Sequence, residues 1–191
     1  MSETEQFQQK RPKIETGAFQ IYTGEGKGKS TASMGLMLRA LGCGFHVYYL
    51  RMLKPRWKTG EIKLGPTLHP NLTFRNIPHY WALCVSKNVP QDVESMREKL
   101  IPEIDNLQKV LTSGDYDMVI VDEINYCIHR GLITLDRAIE LVESRPEKVE
   151  LIFTGRHAHE ELIKRAGIVT EMRKIKHHFA DGIKARVGIE F

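Results

Sequence analysis

The stretch TGEGKGKST, residues Thr23 to Thr31, follows a short apolar run, GAFQIYT at 17–23, and leads into a helical pattern. The common phosphate-binding loop reads G-x-x-x-x-G-K-[ST]. Counting back from Gly28-Lys29-Ser30 puts Thr23 where its first glycine belongs, Gly24 falls one residue late, and Lys27 adds a lysine inside the loop. A strand, a glycine-rich turn and a helix in that order gather backbone N–H groups around one anion. The helix N-terminus adds about half a positive charge. Lys29 is placed to reach phosphate oxygens, and the Ser30 hydroxyl to ligate Mg²⁺. Gly24, Gly26 and Gly28 permit positive φ and close backbone approach. With Glu25, Lys27 and Thr31 they complete an expected ATP-binding loop. The bland alternative is a mobile Gly/Lys turn, which leaves the flanking strand and helix unexplained.

Outward from the loop, Met34, Met37, Leu38 and Leu41 fall at helical spacing, closed by Gly42 and Gly44. FHVYYLR (45–51) and LTFRNIP (72–78) read as strands, and no clear element covers 52–71. A long helix follows Pro90, with Val93, Met96, Leu100, Ile104, Leu107 and Leu111 on one face, and Pro102 predicts a kink or a break in it. DMVIVDE (117–123) is a buried strand and 134–144 a helix; VELIFTG (149–155) is a strand, 159–167 a short helix and 168–175 a last strand. This alternation predicts an α/β fold: a doubly wound, mainly parallel sheet with a P-loop (RecA-like) core, binding ligands at the carboxyl ends of its strands.

Further motifs fall at strand ends. VIVDE resembles the acidic end of an ATPase strand, with Asp122 and Glu123, alongside Ser30, as candidate Mg²⁺ (or Mn²⁺) ligands. Arg156, in TGR (154–156), is a candidate for triphosphate charge, against the plain reading of a surface arginine. LKPRWKTGE (53–61) and PHYW (78–81) bring cations and aromatics near the loop. They suit a large, flat, partly anionic second substrate, against the alternative of aromatic core packing. The pairs His157/His159 and His177/His178 have no third ligand at metal spacing and read as solvated or structural.

With 191 residues, 41% hydrophobic and 27% charged, the chain is long enough for one domain with a sizeable core. A net charge of +4 suits an anionic ligand and falls short of nucleic-acid binding. Cys43, Cys84 and Cys127 are far apart, which points to free, mostly buried thiols in a reducing compartment. No apolar run approaches the roughly 18 residues of a membrane span, and the polar start lacks a secretory h-region, so a cytoplasmic protein is expected. Residues 1–16 form a polar, flexible N-terminal segment and 17–191 the folded domain.

Taken together, TGEGKGKST, YDMVIVDEINY, LIFTGR and the ending HHFADGIKARVGIEF resemble the ATP:corrinoid adenosyltransferases of cobalamin synthesis and salvage. The resemblance implies transfer of the 5′-deoxyadenosyl group of ATP to reduced cobalt, with release of triphosphate. It also implies ATP bound in reverse relative to ordinary P-loop hydrolases, a homodimer, a flavodoxin-like or flavin electron donor, and residues 1–16 as a lid over the corrinoid. Lys54, Trp57, His79, Tyr80 and Trp81 are the expected corrinoid-binding residues. The family pattern Gly-Phe-Thr-Trp, which excludes an axial cobalt ligand, is replaced here by Pro78-His79-Tyr80-Trp81. No catalytic Ser, Cys or His is needed, because the nucleophile belongs to the corrin. Competing readings are a P-loop ATPase or kinase acting at the γ-phosphate, a non-catalytic corrinoid carrier, and a RecA-like motor on nucleic acid. The modest charge argues against the last.

Overall fold

The structure is a computed structural model, and it describes residues 13–54, 59–78 and 93–190. Its strands are β1 (Phe19–Thr23), β2 (Val47–Lys54), β3 (Leu72–Pro78), β4 (Met118–Asp122), β5 (Glu150–Thr154) and β6 (Ile168–Glu171). They form one sheet in the order β3-β2-β4-β5-β1-β6, every pair parallel. The helices are α1 (Lys29–Gly42), α2 (Gly60–Leu64), α3 (Val93–Thr112), α4 (Ile124–His129), α5 (Leu135–Glu143) and α6 (Glu160–Arg165).

Alternation along the strands builds two cores, one on each face of the sheet. Tyr48, Leu50, Val119, Val121, Leu151 and Phe153 belong to one buried cluster, with α3, α4, α5 and α6 packed against it through Leu107, Ile124, Leu141 and Leu162. Val47, Tyr49, Ile120 and Ile152 face the other side and meet α1 through Met37, Ala40 and Leu41. Central strands buried on both faces explain the unbroken apolar run at 118–121.

Several boundaries depart from the sequence reading. Strand β2 runs on to Lys54, past a register shift against β3 between Arg51 and Lys54, and the stretch read as featureless also contains α2 and a 3₁₀ turn at Gly65–Thr67. The last strand ends at Glu171. Helix α4 was not expected. Leu38, placed on the buried face of α1, is 61% exposed, while Ser33 takes its place inside by donating to Ser30 O and sharing a hydrogen bond with Tyr49. Cys127 is buried as expected, whereas Cys43 is exposed.

Helix α3 passes through Pro102 without a break. A proline ring there removes one intrahelical hydrogen bond and crowds the preceding turn. Leu100, Ile104, Leu107 and Leu111 hold the helix on the sheet regardless. Pro102 itself is exposed, so Pro102→Ala is expected to stabilise the protein by about 1–3 kcal/mol in urea unfolding. An unchanged midpoint would show that the helix accommodates the ring at no cost.

Candidate functional site

The sheet order places the carboxyl ends of β1, β5, β4 and β2 side by side. A cavity of about 530 Å³ opens there, lined by the loop from Glu25 to Thr31 and by Arg51, Glu61, Glu123, Arg156 and Glu190 among others.

The loop keeps its shape through left-handed backbone at Gly24 (φ 93°) and Gly28 (φ 127°), where a side chain would be strained. Gly26 needs no such angle. Its N–H donates to Met172 O at 2.6 Å, and a Cβ on it would lie 2.6 Å from the same oxygen. The glycine therefore serves close approach by the segment after β6, a contact that the sequence pattern does not reveal. Met172 N–H donates in turn to Thr23 O at 2.9 Å.

Lys29 is 9% exposed, and its ammonium donates to Gly24 O at 2.5 Å and Gly26 O at 2.8 Å. Lys27 pairs instead with Glu190 at 2.9 Å. Arg186 and Lys27 together hold the Glu190 carboxyl well below the usual carboxylate range. Arg156 pairs with Glu25 at 3.3 Å, and His157, stacked 4.1 Å from His129, lies 3.6 Å from the same carboxylate. Burial, then the positive potential of His157 and Arg130, lowers the pKa of His129. Arg156 thus lines the cavity with its side chain 53% exposed.

Asp122 ends β4 fully buried, accepting a 2.6 Å hydrogen bond from the Thr154 hydroxyl of β5. Thr154 Oγ1 accepts from Glu123 N–H at 3.0 Å, so one hydroxyl orients both acidic positions. Glu123 adopts φ 71°, in the left-handed region that non-glycine residues seldom occupy, and it turns the chain into α4. Glu123 lines the cavity, and Asp122 is not among the lining residues.

Two contributors escaped the sequence reading. Thr154 gives no signal beyond ending a strand. Arg51, at the end of β2, is 2% exposed and lines the cavity, donating to Thr59 Oγ1 at 2.9 Å and pairing with Glu61 at 3.2 Å. Its position after an apolar run was the available clue. Trp57, His79, Tyr80 and Trp81, with the side chain of Lys54, lie outside the described residues. Histidines 177 and 178 stack on each other at 4.7 Å, and the described residues contain no group of three or more His, Cys, Asp or Glu side chains arranged to hold a metal ion.

A family model described as ATP:corrinoid adenosyltransferase BtuR/CobO/CobP matches residues 15–191. The chain belongs to this family. A corrinoid adenosyltransferase of Escherichia coli (strain K12) is 30% identical over 177 residues, covering 93% of this chain and 87% of the relative. That of Pseudomonas aeruginosa is 33% identical over 181 residues, covering 93% and 85%. Corrinoid adenosyltransferase CobA of Salmonella typhimurium is 28% identical over 200 residues, covering 98% of both chains. Among solved structures, the flagellar accessory protein FlaH of Methanocaldococcus jannaschii aligns with a TM-score of 0.54 at 17% identity, covering 83% of this chain and 72% of that one. This likeness shows the RecA-like α/β fold alone. The family identifies an enzyme that transfers the adenosyl group of ATP to a corrinoid. Among the described residues no helix is long and apolar enough to cross a membrane.

Because Gly26 is sandwiched against Met172 and Arg173, Gly26→Ala is expected to lift the C-terminal segment off the loop. Limited trypsin digestion should then cleave at Arg173 or Lys174 faster than in the parent protein. Equal cleavage rates would show that the loop yields instead.

Proposed function

We propose that the cavity at the carboxyl ends of β1, β5, β4 and β2 holds the triphosphate of ATP while its adenosyl group passes to cobalt. The observation that carries this reading is the convergence of the loop, Arg156 and Glu123 on one cavity, with the buried Asp122 directly before Glu123 at the end of β4. Gly24, Glu25, Gly26, Lys27, Gly28, Lys29, Ser30, Thr31 and Arg156 form the ATP site. Backbone N–H groups at the start of α1 face the phosphates, and Lys29 and Lys27 exchange their present oxygen partners for phosphate oxygens.

Ser30, Asp122 and Glu123 suit Mg²⁺, a hard cation that takes a few oxygen ligands and leaves the rest to phosphate and water. The fit rests on chemistry: one hydroxyl and two carboxylates, one of them fixed by Thr154. The ion supplies charge neutralisation on the triphosphate.

The reduced cobalt of the substrate is the nucleophile. Its electron pair forms the bond to C5′ of ATP, the C5′–O bond breaks, and that pair stays on the α-phosphate oxygen of the leaving triphosphate. The protein needs no nucleophile or general base for this step. It contributes position and preorganised positive charge where negative charge develops. Lys54, Trp57, His79, Tyr80 and Trp81 are assigned to the corrinoid, with residues 1–16 as a lid on the domain 17–191. The same reading includes a cytoplasmic homodimer that receives electrons from a flavodoxin-like or flavin donor. Exposed apolar side chains after β6, Ile175 at 92%, Phe179 at 73% and Val187 at 81%, support a partner surface.

The test is incubation with ATP, Mg²⁺ and chemically reduced cobalamin, following the corrinoid spectrum and the phosphate products together. An adenosylated corrinoid with triphosphate is the expected result. ADP with phosphate would support action at the γ-phosphate, and an unchanged corrinoid a carrier. In the same assay Lys29→Ala is expected to cost about 1.5–3 kcal/mol of ATP binding or transition-state stabilisation, a loss of ten-fold or more. Parental kinetics in that variant would remove Lys29 from the site.

A further inference from the structure

Among the described residues, four cationic side chains line the cavity: Lys27, Lys29, Arg51 and Arg156. Each is held by an oxygen from the chain itself. Lys29 is held by two loop carbonyls, Lys27 by Glu190, Arg156 by Glu25 and Arg51 by Glu61. Three of these partners are carboxylates, and a phosphate oxygen offers the same charge and acceptor geometry. Arg51 stands apart from the others because its guanidinium is buried, with only 2% of the side chain exposed. Taking such a group out of water is costly unless its donors are met. Nη1 is met by Thr59 and Nη2 by Glu61, while the buried Nε–H has no acceptor among the described residues. A buried donor without a partner costs stability, and a bound ligand oxygen removes that cost.

Its place in the sheet matters as much. Arg51 is the direct register partner of Asp122 across β2 and β4, adjacent strands about 4.8 Å apart. It therefore stands on the side of the acidic pair away from the loop, so that a triphosphate lying over Asp122 and Glu123 has the lysines on one side and Arg51 on the other.

We propose that Arg51 is an anion-binding residue of this cavity, that its ligand is a phosphate oxygen of the triphosphate, and that Glu61 holds the guanidinium in place until that oxygen replaces the carboxylate. The inference rests on the nucleotide reading above. A planar guanidinium takes two oxygens in a fixed fork, so the exchange preserves its geometry. When the C5′–O bond breaks, the electron pair left on the triphosphate meets a cation that is already oriented. Glu61, 29% exposed in its side chain on the short helix α2, is free to swing outward. The competing account is structural, with Arg51 as a strap that ties α2 to β2.

The experiment is calorimetric titration of the full chain with inorganic triphosphate, and separately with ATP. Arg51→Gln, Arg51→Lys and Glu61→Gln are compared with the parent protein, and each variant's thermal midpoint is measured alongside. Arg51→Gln is expected to weaken triphosphate binding about ten-fold or more, with partial recovery in Arg51→Lys. Glu61→Gln is expected to tighten it a few-fold, since the competing carboxylate is gone. A strap predicts the opposite for Glu61→Gln: a lower midpoint with unchanged or weaker binding, and that outcome overturns the proposal even if Arg51→Gln fails to fold. Unchanged affinity in a folded Arg51→Gln overturns it as well. If the parent protein itself binds neither triphosphate nor ATP, the nucleotide reading falls and takes this inference with it. Parental binding with indifferent variants rejects Arg51 alone.

Discussion

The structure depends on satisfying the positive charge concentrated at the start of α1. A helix N-terminus, the loop N–H groups and Lys29 converge within one turn, and such a cluster requires oxygen acceptors. Here the chain supplies them. Loop carbonyls fold back onto Lys29, and the segment after β6 lies across the loop so that Met172 O receives Gly26 N–H. Glu25 and Glu190 answer the cations on the rim. Removing the C-terminal segment would expose loop backbone and rim cations together, so loop and C-terminus form one unit although some 150 residues of sequence lie between them.

The rest of the site follows from strand order. Because β4 and β5 lie between β1 and β2, the acidic pair stands between the loop and Arg51. The acidic pair is itself shaped by a neighbouring strand. The Thr154 hydroxyl donates to Asp122 and receives Glu123 N–H, which helps to hold Glu123 in a left-handed turn that would otherwise be costly. A single hydroxyl thus couples the ends of β4 and β5. The burial of Asp122 on this hydrogen bond also explains why the strand preceding it can be apolar on both faces without leaving its terminal carboxylate unsolvated and unpaired.

Much of this was readable in advance where the signal was local. The loop, the VIVDE strand end and TGR each carry a short-range pattern: glycines before a helix, apolar residues before acids, a strand end before an arginine. The alternation of strands and helices likewise predicted the parallel sheet. Where the reading fell short, the missing information was tertiary. Leu38 sits at the right spacing for the buried face of α1, yet Ser33 is buried in that layer because a tyrosine from β2 meets its hydroxyl. Gly26 was read as permitting positive φ and close backbone approach; close approach is what it serves, but the backbone that approaches arrives from beyond β6, which no local pattern names. Pro102 predicted a kink or a break in a helix that runs on without a break, because tertiary packing outweighs a local penalty.

By itself, then, the sequence determined the class of fold, the loop, the acidic strand end and the family, since each is written in contiguous residues whose spacing carries the physics. Tertiary structure alone decided which side chains share the cavity. Arg51 and Glu61 come within an ion pair of each other across a bulged strand end, and Lys27 and Glu190 meet from opposite ends of the chain. No periodicity encodes such pairings. They arise when a parallel sheet brings distant carboxyl ends together, and charges that are neutral to local folding must then find partners.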